Sequence, residues 1–139
     1  MLEFSYKKRI YELQFNVFPV IQIVGKSASG KSLLCSDLRK HIFSTRRNDV
    51  NVVNVLDNTE LTTNKVRELI HDYIYIVIDN ADLLITDQIQ ELISDSSDEG
   101  KNFWVLMRRN DFWCVDPKCI GELREQRKDG FTLFDVVYD

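Results

Sequence analysis

Hydrophobic and polar positions alternate strictly at the start of the chain. Residues 2–6 place apolar side chains on one face and polar side chains on the other, and the same alternation resumes over residues 11–17. The positive residues 7–9 lie between the two runs. This pattern predicts a β-hairpin extension over residues 1–18, with the basic cluster at its turn.

Short apolar runs then alternate with segments of helical spacing. Runs rich in β-branched residues predict buried strands, and apolar residues three or four positions apart predict amphipathic helices. Strands are predicted at 20–24, 50–56, 73–79 and 102–107, and helices at 31–43, 63–71 and 85–93. The connections are too long for hairpins, so we expect an α/β fold: a three-layer, mostly parallel sheet with helices on both faces.

Fewer patterns guide the prediction towards the C-terminus. Polar residues 94–101 predict a turn, residues 111–118 a loop, residues 119–126 a short helix and residues 131–138 a final strand. At 139 residues the chain has the length of one domain. We therefore expect a single domain with a hairpin at 1–18, a core at 20–111 and a tail at 112–139.

Charge and composition narrow the classes of partner. The formal net charge is −4, so no whole-surface attraction to polyanions is expected. The strongest local cluster of positive charge is Arg46 with Arg47. Because two arginines in a loop are usually just solvated, we do not expect nucleic acid as a direct ligand. No apolar run approaches the roughly 20 residues that span a bilayer, so no membrane association is expected. Three sparse cysteines without a preceding leader predict a reduced, cytoplasmic chain.

One motif carries specific chemistry. Residues 25–32, GKSASGKS, match the phosphate-binding pattern G-x-x-x-x-G-K-[ST] at every fixed position, between a predicted strand and a predicted helix. Backbone N–H groups of such a loop and the start of the helix bind phosphate oxygens. Lys31 is placed to contact the β- and γ-phosphates, and Ser32 to bind Mg²⁺. The predicted phosphate-binding residues of the loop are Gly25, Lys26, Ser27, Ala28, Ser29, Gly30, Lys31 and Ser32.

With a second element, this motif resembles the P-loop NTPase superfamily. Residues 73–79, YIYIVID, are similar to a Walker B strand, whose terminal carboxylate in that family holds Mg²⁺. The resemblance covers about residues 20–111 and is closest to minimal, lid-less ATPases of the AAA+ or recombinase-like type. It implies a P-loop NTPase-like fold, ATP and Mg²⁺ as cofactors, and Asp79 beside Ser32 as a metal-binding residue.

The catalytic carboxylate of these families has no direct counterpart here. Asn80 stands where AAA+ proteins place the glutamate that polarises water, and an amide cannot accept the proton. Asp82 and Glu60 are candidate replacements, and so is Asp57. The predicted catalytic residues are Lys31, Asp82 and Glu60.

The end of the fourth core strand supplies a further candidate contact. In the families that this chain resembles, a residue at the end of this strand senses the γ-phosphate. The resemblance therefore implies that Arg108, Arg109 or Asn110 has that role. Arginine there would help neutralise a triphosphate. Guanine-specific and ABC-type signatures are missing.

These residues predict a weak or partner-dependent ATPase. Without a lid, the bound nucleotide would be open to water, so we expect a protein partner or a second copy to complete the site. The alternatives are a small P-loop kinase that phosphorylates a small acceptor and a nucleotide-responsive interaction module without turnover.

Overall fold

The computed structural model describes residues 2–13, 18–25, 30–57, 61–83, 86–108 and 119–138. These residues form eight strands and three α-helices. The strands are β1 (Leu2–Tyr6), β2 (Arg9–Leu13), β3 (Val20–Val24), β4 (Val50–Asn54), β5 (Tyr75–Asp79), β6 (Asn102–Met107), β7 (Ile120–Lys128) and β8 (Phe131–Tyr138). The helices are α1 (Lys31–Thr45), α2 (Thr63–Ile70) and α3 (Asp87–Asp98), and short 3₁₀ turns cover Val55–Asp57 and Ala81–Leu83.

All eight strands belong to one continuous sheet of mixed direction. Their order is β1-β2-β8-β7-β3-β6-β5-β4. Strands β3 to β6 are parallel to one another, and β7 continues beside β3 in the same direction. The β1–β2 and β7–β8 pairs are antiparallel, and β2 joins the sheet through a parallel pairing with β8. The predicted hairpin and the final strand are therefore part of the same sheet as the core.

The sheet curls around α1. Helix α1 contacts both β1 and β4, which are the two edge strands of the sheet. In a flat eight-stranded sheet, edges seven spacings apart would lie about 33 Å from each other. A helix about 10 Å across cannot reach both. The sheet is accordingly a half-barrel with α1 on its concave face.

The predicted three-layer, mostly parallel α/β fold of P-loop NTPase type is wrong. Helix α1 packs on one face and α2 with α3 on the other, but these last two cover only the part of the sheet formed by β3, β4, β5 and β6. On β7 and β8 the outward side chains are mostly exposed or half-buried. Antiparallel strands tolerate this arrangement because they can bury a single face. Within the described residues, three helices are too few to cover both faces of the curled eight-stranded sheet.

Two local predictions fail for identifiable reasons. Residues 94–98, predicted as a turn, extend α3, because the half-buried or buried stripe Ile89, Leu92, Ile93 and Ser96 continues at helical spacing with a serine in its last position. The predicted helix at 119–126 is strand β7, although Glu, Leu, Arg and Gln are good helix formers. Pairing with β3 and β8 overrides that local preference. The predicted loop at 111–118 lies outside the described residues.

A buried ion pair joins the hairpin to α1. The Arg9 guanidinium donates to both carboxylate oxygens of Asp37, at 2.6 and 3.0 Å, and the Tyr11 hydroxyl donates to Asp37 Oδ2 at 2.5 Å. The Asp37 side chain is fully buried. Burial raises the pKa of Asp37, but these two donors outweigh it and hold the pKa below its ordinary value. The hairpin is thus tied to the helix that begins at the phosphate-binding motif.

Candidate functional site

The carboxyl ends of the four parallel strands β3 to β6 meet at one edge of the sheet. Open sheets of this kind bind ligands outside these strand ends. A pocket of about 250 Å³ lies there. It is lined by Lys31, Ser32, Asn54, Leu56, Asp79, Asn80, Asp82, Leu106 and Arg108.

Lys31 is the first residue of α1 and faces this pocket. Gly30 precedes it in the left-handed region, with φ 97°, and accepts the Leu34 N–H at 2.9 Å. The Lys31 side chain is 6% exposed, and its ammonium donates to the Gly25 carbonyl. Burial lowers the pKa of Lys31, and Arg108 adds to this effect, while the carboxylates of Asp79 and Asp82 oppose it. A buried cation therefore sits beside two carboxylates at the start of a helix.

Gly30 is also packed against the C-terminal strands. A Cβ atom at this position would lie 3.0 Å from Phe134 Cε1 and 3.7 Å from Leu123 Cδ2. Glycine is required here for both its φ and the close approach of the ring. Strands β7 and β8 thus support the end of the phosphate-binding motif.

Asp79 ends β5 and is 3% exposed. Its Oδ1 accepts the Asn80 N–H at 3.0 Å, and the buried Cys35 thiol of α1 is a second donor to the carboxylate. Burial raises the pKa of Asp79 above its ordinary value despite these donors and the nearby positive charges of Lys31 and Arg39. The carboxylate is held in place from two elements and lines the pocket.

Asn80 and Asn54 link the ends of β5 and β4. Asn80 adopts a left-handed backbone with φ 56°, and its Nδ2 donates to Asn54 Oδ1 at 3.0 Å. The same Asn54 oxygen accepts the Leu56 N–H at 3.0 Å. Asp82 lies in the following 3₁₀ turn, where its Oδ1 is buried with no hydrogen-bond partner among the described residues. This oxygen is an available acceptor in the wall of the pocket.

The structure brings five of the predicted residues together: Lys31, Ser32, Asp79, Asp82 and Arg108 line the one pocket. Gly25 and Gly30 bracket the loop at the ends of β3 and α1. The other predicted residues, Lys26, Ser27, Ala28, Ser29, Glu60, Arg109 and Asn110, lie outside the described residues, as does the side chain of Asp57.

Sequence reasoning did not single out Asn54, Leu56, Leu106 or Cys35. Asn54 lies inside the strand predicted at 50–56, and only the shorter observed strand Val50–Asn54 makes it a strand-end residue. Cys35 follows Lys31 by one helical turn, a spacing that places both side chains on one face of α1. Its proximity to Asp79 depends on how α1 lies across β5, which no local pattern encodes.

Comparison with protein-family models gave no match, and no curated protein matched either. Within the described ranges, no three or more His, Cys, Asp or Glu side chains cluster as a metal site. In the same part of the chain, no helix has the length and apolar character to cross a membrane.

Proposed function

We propose that this protein binds Mg-ATP at the pocket containing Lys31 and hydrolyses it slowly, or only when a partner completes the site. The observation that carries this proposal is the convergence of Lys31, Ser32, Asp79, Asp82 and Arg108 on that pocket. The proposal rests on the residues of this pocket. The half-barrel sheet supports it only through the parallel strands that bring these side chains together. We infer a distant relation to P-loop NTPases from motif and site alone.

The residues present fit a magnesium ion bound to phosphate. Mg²⁺ prefers oxygen ligands and keeps several waters, so a hydroxyl and a carboxylate suffice from the protein. Ser32 and Asp79 supply these, and the Asp82 oxygen without a hydrogen-bond partner is a third acceptor nearby. When bound, the ion would neutralise phosphate charge and hold the β- and γ-phosphates in a fixed geometry.

Positive charge for the phosphates comes from two places. The Lys31 ammonium is buried and close to the loop, where hydrogen bonds to charged groups are strong. Arg108 is exposed at the end of β6 and can approach a terminal phosphate from the solvent side. The backbone N–H groups at the start of α1 add to this, since the helix has no side-chain cap.

Slow turnover follows from the chemistry of Asn80. Its amide donates to Asn54 and cannot accept a proton from water. Asp82, which lines the same pocket, is the described candidate replacement. The same observation favours a second candidate function, a nucleotide-responsive interaction module without turnover. For either function we propose the cytoplasm as the compartment. A partner protein or second copy would then respond to the bound nucleotide.

Product analysis tests the proposed activity. Purified protein is incubated with Mg-ATP alone, and the nucleotides are separated by ion-exchange chromatography. We expect ADP and phosphate in equal amounts at a rate below about 1 s⁻¹, under the typical range for enzymes. Asp82→Asn should lower this rate by at least about tenfold, as loss of a general base does. Asp87→Asn, in the first turn of α3, is the matched control and should change nothing.

The other results separate the alternatives. Unchanged ATP that nonetheless stays bound would support the interaction module and exclude turnover by the isolated chain. ADP formed only when a small acceptor is added would indicate a kinase. ATP neither bound nor consumed would contradict the proposed function.

A further inference from the structure

The C-terminal half of α1 carries an aromatic side chain surrounded by positive charge. Phe43 is 88% exposed, the largest exposed fraction among the large apolar side chains that the structure describes. Arg39 and Lys40 lie four and three positions before it, and Arg46 and Arg47 three and four positions after it. Arg39 and Lys40 are therefore neighbours of Phe43 on the helix surface. Arg46 and Arg47 follow the end of α1, and Arg47 lines the same groove as Phe43. The exposed ring is thus flanked in sequence by four cationic residues, in a chain whose net charge is −4.

Phe43 borders an open groove of about 570 Å³ between α1 and the edge strand β4. Arg39, Arg47, Asn48 and Asn51 also line this groove. The Arg39 guanidinium donates to the Val52 carbonyl at 3.3 Å, which holds it beside the strand edge. The groove therefore combines an aromatic face, guanidinium groups and side-chain amides in one concave surface.

The positive surface continues from the groove to the β1–β2 turn. The Lys40 ammonium lies 4.5 Å from the centre of the Tyr6 ring, and that of Lys7 lies 5.5 Å from the same ring. Lys8 is exposed beside it in the turn. The surface, here named the α1 basic surface, comprises Lys7, Lys8, Arg39, Lys40, Phe43 and Arg46.

Several of the described carboxylates bear on this charge, and Asp79 is one that acts on Arg39. Asp37 is buried and bound by Arg9, and Asp49 is bound by Arg47 at 2.6 Å. Asp72 lines the far wall of the groove beside His71. Arg47 is therefore locally neutralised, while Lys40 and Arg46 are exposed to solvent.

We propose that the α1 basic surface binds a single-stranded nucleic acid, with one base stacked on Phe43 and neighbouring phosphates at Arg39, Lys40 and Arg46. Stacking on an exposed ring combined with a cationic track is how proteins bind single strands without reading sequence. Neither charge nor stacking distinguishes ribose from deoxyribose, so DNA and RNA strands should bind alike. Phe43 lies about 18 Å along the helix from Lys31, so the stacking contact is separate from the ATP pocket, although Arg39 is close enough to act on Asp79.

Two other occupants fit less well. A peptide strand adding to the edge of β4 would compete with Arg39 for the Val52 carbonyl. An anionic membrane would favour a broad apolar face on the helix, whereas Phe43 is the one large exposed apolar side chain that the described residues place on this surface.

Fluorescence anisotropy with labelled oligothymidylate and oligouridylate of about 12 nucleotides tests this inference. The titration omits nucleotide and Mg²⁺. We expect Phe43→Ala to weaken binding about tenfold, the loss of one stacked base. Phe131→Ala is the matched control, because that ring is also exposed but lies at the β7–β8 turn, and it should change the affinity less than about twofold.

Salt dependence tests the phosphate contacts. Three to five contacts predict about 20- to 130-fold weaker binding when salt rises from about 50 to about 200 mM. Arg46→Asn removes one charge and suits the left-handed backbone at this residue, φ 55°, so the logarithmic salt slope should fall by about 0.7. Lys65→Gln on α2 should leave the slope unchanged.

Several results would overturn the inference. They are no binding to either oligonucleotide at low salt, equal losses from Phe43→Ala and Phe131→Ala, and a more than tenfold preference for one sugar. Phosphatidylserine vesicles provide the last arm. Binding to vesicles that Phe43→Ala abolishes, without binding to oligonucleotides, would assign the surface to a membrane.

Discussion

The Asn80 amide donates to Asn54 Oδ1 at 3.0 Å and thereby joins the ends of β5 and β4 in the lining of the candidate ATP pocket. Asn80 is held in a left-handed backbone conformation, which asparagine adopts more readily than most residues. The position next to the metal-binding candidate Asp79 is thus occupied by a fixed amide rather than a carboxylate. If turnover is limited by this amide, restoring a carboxylate should accelerate it.

Asn80→Glu should raise the rate of ATP hydrolysis by at least about tenfold, because general-base catalysis contributes a hundredfold or more when well placed. Asn80→Gln is the control, since it has the same length and the same backbone strain but keeps the amide. Both rates are measured by phosphate release at saturating Mg-ATP. Equal rates in the two variants would show that the amide at this position does not limit hydrolysis.

The ion pair between Arg9 and Asp37 should contribute asymmetrically to stability. The Asp37 side chain is fully buried, whereas that of Arg9 is 27% exposed and can reach water. Arg9→Met leaves a buried carboxylate without its cation, which should cost about 3 kcal/mol. Asp37→Asn keeps an acceptor for both donors and should cost about 1 to 2 kcal/mol.

Urea unfolding at pH 7 measures both costs. The Arg9→Met loss should shrink at pH 4 and below, because protonation of Asp37 removes the unpaired charge. Equal costs for the two variants at pH 7 would indicate that the Asp37 carboxylate is not desolvated as the structure has it.

His41 should make the folded protein sensitive to mild acid. Its ring stacks on Phe4 with centroids 4.9 Å apart, and burial together with the positive charge of Arg47 lowers its pKa below 6.5. The unfolded chain therefore takes up a proton near pH 6.5, whereas the folded chain takes it up only at lower pH, so stability falls as the pH decreases through 6.5 towards the folded pKa. Well above pH 6.5 the ring is neutral in both states, so His41 contributes little pH dependence there.

Urea midpoints at pH 7.5, 6.5 and 5.5 test this effect. His41→Phe retains the stacked ring and should flatten the loss between the last two values. The Asp37 contribution is lost only below its ordinary pKa of about 4, outside this window. His71→Gln, at a ring that is 79% exposed, should follow the wild-type curve. An unchanged slope in His41→Phe would assign the acid sensitivity to other groups.

Sequence patterns anticipated the central strands and the place where their ends meet. Strands that alternate with helices run parallel, so residues following them, such as Asp79 and Arg108, share one edge. The half-barrel was not predictable, because the curl appears only in the contacts of α1 with both β1 and β4. Strand β7 was missed because its residues favour helix and only its neighbours make it a strand. Asn54 was missed because a lone amide at a strand end resembles any solvated residue.

Calorimetric titration with Mg-ATP most directly tests whether the Lys31 pocket binds nucleotide phosphates. Wild type should bind with micromolar affinity, and Lys31→Ala should weaken binding by about 10- to 150-fold, the range for loss of a hydrogen bond to a charged group. Lys128→Ala, on the exposed end of β7, controls for loss of a positive charge and should bind as wild type does. Equal affinities for wild type and Lys31→Ala, or no binding by the folded wild-type protein, would contradict an ATP site at this pocket.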